Sequence, residues 1–137
     1  MSATRAEVIA FARDWLGTPF HHQGRMKYVG VDCVGLVLGV AHELGLIAEA
    51  FDVRGYPRVP DGRLLAHCDE HMQRIAHDAM QPGDVVVVSF DVDPMHMGIV
   101  GDYRHGGLSI IHSLAQAGRN PGRVVETRLM FSPSMRF

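Results

Sequence analysis

The stretch MHMGIVGDYRHGGLSIIHSL, residues 95–114, decides how the chain folds. Two apolar runs, 95–101 and 108–114, flank a polar segment containing Gly106-Gly107, the pattern of an antiparallel hairpin. Each run carries one histidine, His96 and His112. With the turn centred near Arg104, these two are expected directly opposite each other. Opposed residues share a sheet face, with Cβ atoms roughly 5 Å apart. Two neighbouring imidazoles can serve as a proton acceptor and the group that orients it.

On either side the same character continues. VVVVSF (85–90) and RVVETRL (123–129) read as further strands. Gln81-Pro82-Gly83-Asp84, Asp93-Pro94 and Asn120-Pro121-Gly122 punctuate them as turns. The N-terminal half reads as helices. Thr4 and Glu7 fit a capping box for a helix over 5–16, with Val8, Phe11, Ala12 and Trp15 facing the core and Gly17 past its end. Residues 18–31 read as a loop. Asp32 caps a second helix over 33–44, apolar nearly all round and therefore buried, in which Gly35 and Gly39 admit close neighbours. A more polar third helix is expected over 63–79, with Leu64, Leu65, Cys68, Met72 and Ile75 as its buried stripe. Helices first and strands later imply an α+β fold, N-terminal helices packed on a largely antiparallel β-sheet, in a single domain over residues 1–137.

Composition narrows the function. The 137 residues are 47% hydrophobic and 20% charged, with a net charge of −2, which gives no basic surface for nucleic acid or an anionic membrane. No apolar run approaches the roughly 18 residues of a membrane-spanning helix. The opening MSATRAEVIAFARDWLG lacks a basic region followed by an apolar one, so no signal peptide is expected, and the localisation stays open. Two cysteines, Cys33 and Cys68, make no disulfide framework, and both are expected as free thiols.

Cys33 opens the buried helix. Free N–H groups and the positive end of the helix dipole favour thiolate there, and the same N–H groups can hold an oxyanion. Cys68 lies within the third helix beside Asp69 and Glu70, which raise its pKa and suit it to a structural role. A catalytic thiol needs a base and the base an orienter, roles that His96 and His112 fit. His21 and His22 lie in the loop before the cysteine, with His22 the better placed to line its cleft. His67, Glu70 and His71 match H-x-x-E-H, a zinc pattern. The match is short and the helix otherwise polar, so this face is read as solvated and no metal or other cofactor is expected.

GTPF (17–20), VDCVGLV (31–37), QPGDVVVV (81–88), MHMGIV (95–100) and IIHS (110–113) together resemble the NlpC/P60 cysteine peptidases, compact papain-like enzymes that cut bacterial cell-wall peptides. The closest likeness is to the short single-domain versions of phage tails and prophages. The resemblance implies Cys33 as nucleophile, His96 as general base and His112 as orienting residue. It implies Asp32 as a holder of the substrate's free amine. The expected substrate is a peptidoglycan stem peptide, cut between D-glutamate and a diamino acid through a thioester. Two positions depart from the family pattern: Phe20 stands where Tyr is common, and Val34 where Ser is common. Tyr28 or His22 is expected to supply the missing polar contact from the same loop. A competing expectation keeps the fold without the chemistry, as a structural or assembly module with phage tail proteins as partners.

Overall fold

The computed structural model describes residues 3–56, 63–90, 93–104, 106–115, 119, 121–129 and 135–136. The architecture is α+β; among the described residues the pairings between strands are antiparallel, and an isolated bridge from Phe20 to Val31 is parallel.

Helix α1 (Arg5–Arg13) begins with the capping box: the Thr4 hydroxyl accepts from the Glu7 amide and Glu7 reaches back. It ends three residues before the expected position 16, in a run of turns closed by Gly17 at φ 87°. The loop after it holds a short hairpin that apolar patterning does not signal, β1 (Arg25–Met26) with β2 (Gly30–Val31). Helix α2 (Cys33–Glu43) follows, capped by the Asp32 carboxylate on the Gly35 amide. Both its glycines sit where a neighbour comes close. A Cβ on Gly35 would meet the Gly24 carbonyl, and one on Gly39 the Trp15 ring.

Helix α3 covers only Arg63–His71, and a 3-10 turn follows at His77–Ala79. The expected extension to residue 79 fails because its apolar positions are not covered. Met72 is 38% and Ile75 45% exposed. A short helix without a buried face is not sustained. The side chains of Leu64 and Leu65 lie outside the described residues.

The main sheet runs β6-β5-β4-β3-β7, from β3 (Val85–Phe90), β4 (Asp93–Asp102), β5 (Leu108–Leu114), β6 (Arg123–Arg128) and β7 (Met135–Arg136). Asp93 and Pro94, expected in a turn, open β4, where Pro94 faces Ser89 at a register shift. Bulged positions tolerate proline, which cannot donate to the ladder. Ile99, Ile111 and Val124 bury one sheet face against Ile9, Trp15, Leu36 and Val40 of the helical half. Val86, Val88, Val100, Ile110 and Leu129 form a second cluster.

The β4–β5 register differs from expectation. Ile99 pairs with Ile111 and Gly101 with Ser109, so the hairpin centres on position 105 and not on Arg104. His112 is thus shifted by two residues from the partner expected for it. A shift of two preserves the face on which each side chain lies.

Candidate active site

His96 and His112 meet diagonally across β4 and β5. His96 Nε2 lies 2.7 Å from His112 Nδ1, with ring centroids 4.9 Å apart and planes tilted by 54°. His112 Nε2 lies 3.0 Å from the Thr127 hydroxyl on β6. Three strands therefore contribute to one chain of polar groups. The register shift at Val88/Ser89 falls just before His96, where a bulge re-aims the following side chain. Burial lowers the His96 pKa to about 4. Burial, and then the charge of His96, lower that of His112 to about 3. Both rings are neutral at pH 7, so each has one N–H and one acceptor nitrogen. The tautomer in which His96 donates from Nε2 to His112, and His112 from Nε2 to Thr127, leaves His96 Nδ1 as the proton acceptor.

Cys33 is the first residue of α2 and only 6% exposed. It packs with Val34, Leu38 and Met97. The helix start was expected to favour thiolate. Instead burial, and then the Asp32 carboxylate, push the thiol up to about 11, against the backbone N–H groups of Met97, Val34 and Cys33 itself. Desolvation wins because sulfur faces apolar side chains on most sides. The resting thiol is therefore neutral. Among the described residues, no hydrogen bond joins the thiol to either imidazole. The link runs through the strand: Met97, which packs against Cys33, is next to His96. Val34, where the family pattern has Ser, is buried with Leu38 and Met97.

Asp32 is 3% exposed and fully engaged. It accepts from the Gly35 and Gln23 amides at 2.8 Å, from Arg25 Nη1 at 3.1 Å and from the Tyr56 hydroxyl. Four donors fill the lone-pair positions of a carboxylate. Arg25 uses all five of its N–H bonds, on Gly24, Asp32, Asp52, Val53 and Tyr56. Burial, and then Asp32, raise the pKa of Tyr56, which keeps its hydroxyl a donor. The expected grip of Asp32 on a substrate amine thus meets a group already paired with a guanidinium.

The remaining loop residues divide. The His22 ring stands edge-on to Tyr56 at 5.5 Å and so borders this cluster. Phe20 is half-buried and bridges Val31 beside it. Tyr28 is elsewhere: 61% exposed, its hydroxyl donates to Asp14 at the end of α1. The hydroxyl near Asp32 belongs to Tyr56, which sequence reading missed, as it missed Arg25. Arg25 lies in the two-residue strand β1 and Tyr56 in an irregular segment after α2, and neither stretch carries a periodic signal. Cys68 is half-buried against the Cys33 cluster, and burial and then Asp69 raise its pKa to about 11.

No helix among the described residues is long and apolar enough to cross a membrane. No protein-family model and no curated protein matches this chain, so its function rests on these residues and their geometry.

Proposed function

We propose that this protein is a cysteine peptidase of the NlpC/P60 kind, with a papain-like fold, that hydrolyses peptidoglycan stem peptides between D-glutamate and a diamino acid. The observation that carries the reading is the 2.7 Å contact of His96 with His112, beside the strand residue Met97 that packs against Cys33. A neutral thiol and a neutral imidazole define a general-base mechanism and not a resting ion pair. As sulfur attacks the carbonyl carbon, its proton passes to His96 Nδ1. His112 accepts the Nε2–H of the imidazolium and Thr127 that of His112, which spreads the charge. The free N–H groups at the start of α2 hold the oxyanion. His96 then protonates the leaving amine, and water, deprotonated by the same ring, cleaves the thioester. Catalytic hydrogen bonds are often long before substrate binds, and here the thiol–imidazole contact forms with it.

Because Asp32 is filled, the substrate need not present a free amine. Stem peptides blocked at the amino terminus, as when attached to glycan, are accepted. The test is cleavage of a defined stem peptide by the wild type and by Cys33→Ala, read by mass spectrometry. Cleavage by the wild type alone supports the proposal; no cleavage, or equal cleavage by the variant, overturns it. The missing thiol–imidazole bond and the raised thiol favour a second reading, a phage-tail assembly module without chemistry. That reading predicts no turnover and binding to tail proteins unaffected by Cys33→Ala.

A further inference from the structure

The last turn of α3 brings together a group outside the cysteine chemistry. His67, Glu70 and His71 each point one ligand atom to a common region, and those atoms all lie within 4.8 Å of one another. Helix geometry alone makes this placement: at about 100° per residue, positions i, i+3 and i+4 share one face. All three side chains are exposed. His71 Nε2 and Glu70 Oε2 are already 3.9 Å apart. Two neighbouring contacts favour the cluster. The Phe51 ring stands edge-on to His71 at 4.7 Å and restricts its imidazole. Arg74 binds Asp69 at 2.6 Å, which occupies the adjacent carboxylate and not Glu70. Cys68 belongs to the apolar cluster and not to this face.

We propose that the C-terminal turn of α3 is a binding site for a divalent transition ion of the zinc class, held by His67, His71 and Glu70. Two imidazoles and one carboxylate suit zinc, and their number leaves a fourth position open to water or to a ligand from another molecule. Around a tetrahedral ion the ligand atoms stand about 3.3 Å apart, a contraction that exposed side chains reach by small rotations. Magnesium and calcium, which take oxygen ligands in larger number, do not fit. His67 and His71 also border an apolar cavity of about 320 Å³ shared with Val34 and Met97. A bound ion would therefore sit at a lip of that cavity.

The experiment titrates the full-length protein with zinc sulfate against a chromophoric chelator, and with cobalt, whose visible spectrum reports its ligands. The expected result is one ion per chain at micromolar affinity or tighter, weakened at least about tenfold by His67→Ala or His71→Ala and less by Glu70→Gln. Cys33→Ala and Cys68→Ser should bind as the wild type does, and magnesium should not compete. The melting temperature should rise with zinc in the wild type and not in His71→Ala. Absence of binding, binding indifferent to both histidine variants, or loss of binding in a cysteine variant overturns the site.

Discussion

The first turn of α2 and the middle of α3 each hold a half-hidden or hidden cysteine beside a carboxylate, and in both burial pushes the thiol up to about 11. Proton affinity does not separate them. Their surroundings do. Cys33 opens α2 and packs against Met97, the residue next to His96 on its strand. Cys68 has a helix interior and Asp69. A nucleophile is distinguished by what can take its proton and hold its product, and in the proposed mechanism those roles fall to His96 and the start of α2.

The sharpest way to break this comparison is to remove each thiol. Cys33→Ala should reduce stem-peptide cleavage by at least about a thousandfold, and Cys68→Ala should leave it within about twofold, measured as initial rates. Equal losses would erase the distinction. The carboxylates should differ as strongly in stability. Asp32→Ala removes the cap of α2 and one of the two carboxylates paired with Arg25, Asp52 being the other, and should cost at least about 2 kcal/mol by denaturant unfolding. The exposed Asp69–Arg74 pair should contribute little, and Arg74→Ala should leave the urea midpoint nearly unchanged.

Acid should act on the α2 side. His96 and His112 have folded pKa values of about 4 and about 3, below the free imidazole near 6.5. The unfolded chain therefore binds more protons over that interval, and stability falls as pH drops from about 6.5 toward 4. The loss is on the order of 5 kcal/mol for the two rings together, to be read from urea midpoints across pH, and His112→Phe should remove about half of it. Thr127→Val, which removes the last partner in the chain, should slow cleavage roughly tenfold without changing KM. The smallest effect concerns the thiols at rest. Iodoacetamide should modify both slowly at pH 7, and a Cys33 that titrates below about 8.5 would contradict the dominance of burial.

Much of this was legible in the chain. The four long strands are apolar runs bounded by turn residues, and patterning finds such runs. The pairing of His96 with His112 survived an error in register, because the hairpin slipped by two and parity was kept. Helix α3 is shorter than its pattern suggests, since Met72 and Ile75 match a helical period yet stay partly exposed. The filling of Asp32 is not legible in sequence: its partners Arg25, in the two-residue strand β1, and Tyr56, in an irregular segment, lie on either side of α2. Nor is the balance at Cys33, because the helix start is visible in sequence and the depth of burial is not.

The central claim is that Cys33 becomes covalently acylated with His96 as its base. It is tested most directly by acid-quenching the protein during turnover of an N-blocked stem peptide and weighing the fragment that contains Cys33. The account predicts an acyl adduct on that fragment in the wild type, absent from Cys33→Ala and strongly reduced in His96→Ala. Turnover without any adduct on Cys33, and undiminished in Cys33→Ala, would contradict it.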